Sequence, residues 1–339
     1  MEITITQKIL LALVFSGIKI LQLIEKVGSY LRLTTVVLVR GVALGILFLS
    51  LASSFPMETI QLPFSNIPTL LNPESSVLGA AQIGGPTLIN EIPLPYVTAT
   101  AIYAIDPVYE GVFVDVNSEI QLAPASTTKL MTALVSMDLY ELDELVPIPH
   151  FCTEIEGQKS GFYAGDSFFA GDLIKSLLIN SSADAACALS VGKITYYQFV
   201  NQMNAKVKEL MMENTNFSNP IGLDGTNGEH LSTARDLYTL SLTARENPFI
   251  KETVSTVQTD IVGSHGLPVT LVTTNDLLSS VPGTVGIKTG RTEAAGEVLI
   301  YEYNLDDKDI IIVVMGSSDR FGDTVKILRW ILQSYEWVK

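Results

Sequence analysis

Pro124-Ala125-Ser126-Thr127-Thr128-Lys129 marks the point where a strand-like pattern gives way to a helical one. Before it, residues 98–105 and 111–116 read as two strands around a turn at Asp106-Pro107. After it, Leu130, Leu134 and Met137 recur at helical spacing, which predicts a helix over 126–137. Residues 172–191 and 196–212 read as longer helices. Toward the end, residues 298–303 and 310–315 are apolar strands around Asn304-Leu305-Asp306-Asp307-Lys308, a hairpin pattern, and an amphipathic helix is predicted over about 323–337. Strands at both ends with helices between them predict an α/β fold of the α+β kind. Its antiparallel sheet would be packed by helices, with the first and last strands as candidate neighbours.

This pattern occupies residues 97–339, a length that one domain can bury. Residues 58–96 read as a linker, since the stretch from Pro56 to Tyr96 holds seven of the fifteen prolines and has no sustained period. Residues 36–57 are almost wholly apolar, interrupted only by Arg40, and account for much of the positive mean hydropathy of the chain. They read as a single membrane span with Arg40 near the head groups. Alternatively they form a signal segment, with Ala52-Ser53-Ser54 offering small residues for cleavage. Residues 1–35 carry a basic, amphipathic or apolar helical pattern.

Charge supports export of the body. Residues 1–40 hold Lys8, Lys19, Lys26, Arg32 and Arg40 against Glu2 and Glu25, while the full chain has a net charge of −15. A basic flank before the span orients residues 97–339 away from the cytoplasm, whether or not the segment is cleaved. An acidic body would repel phosphate backbones, so nucleic acid is not an expected partner. Two cysteines and the separated His150, His230 and His265 offer no metal-ligand spacing, and no metal or organic cofactor is expected.

Ser126 stands three residues before Lys129 at a helix start, which puts a hydroxyl and an amine on one face. A serine needs a neighbour to take its proton, and a lysine does so only when burial or nearby cations lower its pKa. By itself the spacing also fits an N-capping serine beside a surface lysine. A second element is Lys288-Thr289-Gly290, in a strand-like context. A peptide could add along such a strand, with the cation and hydroxyl drawing its negative terminus. The glycine would permit close approach of another backbone.

With Ser126-x-x-Lys129 and Lys288-Thr289-Gly290 in this order, and Ser181-Ser182-Ala183-Asp184-Ala185 between them, the chain resembles the serine D-alanyl-D-alanine carboxypeptidases, the low-molecular-weight penicillin-binding proteins. Residues 199–204, 215–223, 230–237 and 274–278 match the family as well, as does Thr292-x-x-Ala295-Gly296. The resemblance implies the transpeptidase and β-lactamase-like fold, a mainly antiparallel sheet flanked by helices, with the site between the edge strand and an all-helical subregion. It implies that Ser126 attacks the carbonyl between two D-alanines of a peptidoglycan stem peptide, that Lys129 takes its proton and that Ser181 passes a proton to the leaving group. Lys288 would shape the electrostatics and Thr289 would bind the terminal carboxylate. Gly290 lies on the same substrate strand, and the N–H groups of Ser126 and Arg291 would form the oxyanion hole. β-Lactam antibiotics would act as acylating inhibitors.

The middle motif departs from the family, which carries Ser-x-Asn-Asp-Ala: Ala183 stands where a substrate-contacting asparagine is expected. Thr274 likewise stands where the family often has an arginine, for which Arg291 is a candidate replacement. The rivals to a carboxypeptidase are therefore an endopeptidase on peptidoglycan cross-links, an impaired peptidoglycan-binding homologue, and a β-lactamase. His230 reads as a packing or hydrogen-bonding residue. Cys152 and Cys187 read as core residues, which a disulfide could join in an exported body. The acidic groups at 141–144 and 306–309 read as solvated turns.

Overall fold

The computed structural model describes residues 84–225 and 228–338, so the expected N-terminal segment, the membrane span and most of the linker lie outside the described residues. In chain order the strands are β1 (Gly85–Leu88), β2 (Ala101–Asp106), β3 (Gly111–Val116), β4 (Leu145–Pro147), β5 (Ser167–Phe169), β6 (Gln258–Val262), β7 (Pro268–Val272), β8 (Thr284–Thr292), β9 (Gly296–Leu305), β10 (Lys308–Ser317) and β11 (Tyr335–Val338). The helices are α1 (Lys129–Leu139), α2 (His150–Thr153), α3 (Ala170–Ile179), α4 (Ala183–Val191), α5 (Tyr196–Glu209), α6 (Ala234–Arg245), α7 (Pro248–Val254), α8 (Leu277–Ser280) and α9 (Arg320–Ser334), with a 3-10 turn at Ala125–Thr128.

β2, β3, β8, β9 and β10 form one antiparallel sheet in the order β3-β2-β10-β9-β8, which places the first long strand beside the last and leaves β8 at an edge. Both faces are covered. Ile311, Val313 and Met315 of β10 enter the core shared with α1, α3 and α6, whereas Ile310, Ile312 and Val314 enter the core shared with Ile327, Leu328 and Ile331 of α9. A strand buried on both faces has no polar side, which is why 310–315 reads as an unbroken apolar run.

At the chain ends and in the sheet, the structure departs from the sequence reading in three places. Within the stretch read as linker, β1 pairs antiparallel with β11, and Trp330 Nε1 donates to the Ile92 carbonyl at 2.7 Å. The body thus begins by residue 85. The C-terminal helix ends at Ser334, because Tyr335–Val338 is the strand that receives β1. Asp309 is buried rather than solvated: Arg245 bridges it and Glu302, itself buried on β9, at 3.1 Å from the latter. A guanidinium shared by two carboxylates offsets part of the cost of burying them, although Glu302 Oε2 is left without a hydrogen-bond partner.

Candidate active site

Ser126 lies in the 3-10 turn that leads into α1. Three residues make one turn of a 3-10 helix, so positions i and i+3 eclipse. Lys129 Nζ accordingly sits 2.9 Å from Ser126 Oγ. Thr127 Oγ1 donates to the Pro124 carbonyl at 2.6 Å and Thr128 Oγ1 to the Ala125 carbonyl at 2.8 Å, which ties the turn together. Two glycines let other backbones close over it. A Cβ on Gly290 would lie 2.9 Å from Ser126 N, and one on Gly222 would lie 2.1 Å from the Ala125 carbonyl oxygen.

Lys129 is buried, and its Nζ also donates to the Ile221 carbonyl at 2.6 Å. Burial lowers its pKa to about 7, with the Asp184 carboxylate opposing the shift. The Ile221 loop is shaped by Asn219, whose Oδ1 accepts from the N–H groups of Ile221, Gly222 and Leu223 at 3.1, 2.7 and 3.1 Å.

Residues 172–191, which read as one helix, are two. Ser181 adopts φ +60° between α3 and α4, and Ser182 caps α4 by accepting from Ala185 N. A left-handed residue other than glycine costs about 1–2 kcal/mol, and here it turns the Ser181 hydroxyl to the site. Lys288 Nζ donates to Ser181 Oγ at 3.0 Å and to the Thr289 carbonyl at 3.0 Å. Burial pushes Lys288 well below its ordinary pKa, and the charges of Lys129 and Arg320 push it further.

Ser126, Lys129, Ser181, Thr289, Gly290 and Arg291 meet at one cavity of about 290 Å³, and Lys288 reaches it through Ser181. Clefts of about 350 Å³ beside Met211 and about 440 Å³ beside Trp337 carry no nucleophile next to a base. All residues expected at the site are therefore brought together. Arg291 is on the rim, its side chain 76% exposed and 3.9 Å from Glu297. The guanidinium in the cavity wall is Arg320, 14% exposed and 3.8 Å from Glu297, which the sequence reading missed. Its Nη1 donates to the Gly290 carbonyl at 3.2 Å, and its Nε is buried without a partner. The same wall holds Thr274, whose Oγ1 is 2.5 Å from Thr289 Oγ1. Arg320 lies at the start of α9, a helix whose apolar period signals packing alone, so no local pattern marked it.

His230 is buried, and burial lowers its pKa to about 4. Its Nδ1 accepts from Ser218 N at 3.0 Å, which places the ring proton on Nε2, 2.8 Å from Thr128 Oγ1. It thus braces the Ser126 turn from behind. Cys152 and Cys187, core residues whose pairing the sequence left open, form a disulfide between α2 and α4.

The sequence pattern of peptidase family S11, D-alanyl-D-alanine carboxypeptidase, matches residues 90–319. The chain is similar to D-alanyl-D-alanine carboxypeptidase DacF of Bacillus subtilis, 30% identical over 229 residues, which make up 65% of this chain and 58% of that protein. It is also similar to a D-alanyl-D-alanine endopeptidase of Pseudomonas aeruginosa, 31% identical over 226 residues, 63% of this chain and 71% of that protein. Among solved structures, the Streptomyces K15 DD-transpeptidase superposes with a TM-score of 0.67 at 26% identity, covering 71% of this chain and all of that one.

Proposed function

The chain belongs to the D-alanyl-D-alanine carboxypeptidase family, and from that premise we propose that it is a serine peptidase removing the terminal D-alanine from peptidoglycan stem peptides through an acyl-enzyme. The observation that carries this is the 2.9 Å approach of a buried amine with a pKa near 7 to the Ser126 hydroxyl, inside a cavity bounded by an edge strand.

The substrate lies along β8, whose free edge accepts another strand. Its terminal carboxylate goes to the Thr289 hydroxyl and the Arg320 guanidinium, a placement suited to charge-assisted hydrogen bonds. Neutral Lys129 takes the Ser126 proton as Oγ attacks the carbonyl carbon between the two D-alanines. The N–H groups of Ser126 and Arg291 receive the oxyanion. The proton passes through Ser181 to the departing D-alanine nitrogen, the C–N bond breaks, and an ester on Ser126 remains. Lys288 holds the Ser181 hydroxyl in place by donating to its Oγ. Water then hydrolyses the ester. β-Lactams acylate Ser126 in the same way, with the ring amide in place of the peptide.

The N-terminal apolar segment anchors this domain at the outer face of the cell membrane, or directs its export if cleaved. The basic residues before that segment support this placement. Cleavage of cross-links is a second reading, favoured by the likeness to an endopeptidase. Incubation with a fluorescent penicillin is the test. A long-lived adduct on wild type and none on Ser126→Ala supports the enzyme. No adduct on folded wild type leaves an impaired homologue, and rapid antibiotic turnover a β-lactamase. The muropeptides consumed by wild type separate carboxypeptidase from endopeptidase.

A further inference from the structure

Position 183, where the family pattern expects a substrate-contacting asparagine, is covered in this fold. Ala183 is fully buried at the start of α4, and its N–H donates to the Gln158 carbonyl at 2.6 Å. A Cβ on Gly157 would come within 3.3 Å of Ala183 Cβ. The 157–158 loop therefore lies directly against the small side chain and takes up ground that a longer one would need.

The loop is fastened to α4 at several points. Asp184 accepts from the N–H groups of Ser160 and Gly161 at 3.1 and 3.0 Å. Asn180 Nδ2 donates to Ser160 Oγ at 3.0 Å, and the Cys152–Cys187 disulfide closes the far side. These ties set Gln158 in the wall of the catalytic cavity, together with Ser181. Its Nε2 points toward Asn180 Oδ1 at 3.5 Å, which leaves Oε1 and a second N–H for a ligand.

We propose that the side-chain amide of Gln158 binds the substrate's peptide group on the acyl side of the scissile bond, supplying from the neighbouring loop the amide that Ala183 lacks. A strand added to β8 directs alternate peptide groups away from β8, toward the wall that carries Gln158. A carboxamide can donate to the carbonyl and accept from the N–H of such a group, whereas Ser181 is already engaged by Lys288.

The inference rests on the proposed acylation of Ser126, and two acylating probes separate the two. Benzylpenicillin carries a side-chain amide on the acyl side, and 6-aminopenicillanic acid does not. In Gln158→Ala the rate constant for acylation by benzylpenicillin is expected to fall about 10- to 100-fold, while that for 6-aminopenicillanic acid stays within about twofold. Gln158→Asn, with the same group on a shorter arm, is expected to fall between. An unchanged benzylpenicillin rate, or an equal loss with both probes, overturns the assignment while leaving the catalytic reading intact. Failure of wild type to acylate with either probe overturns both.

Discussion

Lys129 Nζ is held between Ser126 Oγ at 2.9 Å and the carbonyl oxygen of Ile221 at 2.6 Å. As a cation the amine donates to both. On losing a proton it keeps its bond to Ile221, and its lone pair is free to accept the Ser126 hydroxyl proton.

That arrangement sets the pH dependence of acylation. Burial favours the neutral amine and lowers the Lys129 pKa to about 7. The rate of acylation by benzylpenicillin should therefore fall about tenfold per unit of pH below about 7 and level off above it. Lys129→Arg, which stays protonated, should lose at least about 1,000-fold at every pH. A flat profile for wild type between pH 5 and 9 would rule out Lys129 as the base.

Arg320 should decide the preference for a free carboxyl terminus. Losing a charge-assisted pair costs about 1.5–3 kcal/mol, so Arg320→Gln should lower kcat/KM on a peptide ending in D-alanyl-D-alanine roughly 10- to 200-fold. On the C-terminally amidated peptide the variant and wild type should be alike. If Arg291→Gln produces that selective loss instead, the exposed rim arginine is the one that binds the carboxylate.

Asn219 positions the base without touching the substrate. Asn219→Ala strips the partner from three backbone N–H groups and frees the Ile221 carbonyl from its place. The expected cost is about 3 kcal/mol in urea unfolding, with slower acylation and a displaced pH midpoint. Acylation with a wild-type midpoint would show that the loop holds its shape without the amide.

The Cys152–Cys187 bond spans a sequence separation of 35 residues. A crosslink of that length stabilises by about 3–4 kcal/mol, so Cys152→Ser/Cys187→Ser should unfold at correspondingly lower urea. Denatured wild type should take up no iodoacetamide until it is reduced, and two equivalents afterwards. Two equivalents without reduction would contradict the bond.

The sheet was legible because 310–315 is apolar on both faces and 298–303 is apolar but for Glu302, a property of the strands themselves. Ser126 and Lys129 were legible because a spacing of three aligns side chains in either helix type. The break at Ser181 was hidden, since the apolar period runs on through 172–191 and only the positive φ at Ser181 and the Ser182 cap interrupt it. Asp309 read as solvent-facing because its partner, Arg245, is 64 residues away. Nothing near the cysteines indicated that α2 and α4 pack together.

By itself the sequence determined the family motifs, the pairing of Ser126 with Lys129, and the strand-like context of Lys288-Thr289-Gly290, all of which depend on short spacings and periodicity. Only the tertiary structure decided what surrounds those groups. It buried Lys129, which brings an ordinary amine into range as a base, and it carried Arg320 from α9 to the Gly290 carbonyl. It also laid Gln158 over Ala183. The physical reason is that pKa and recognition depend on what surrounds a group in space, and those neighbours come from chain segments that local patterns cannot connect.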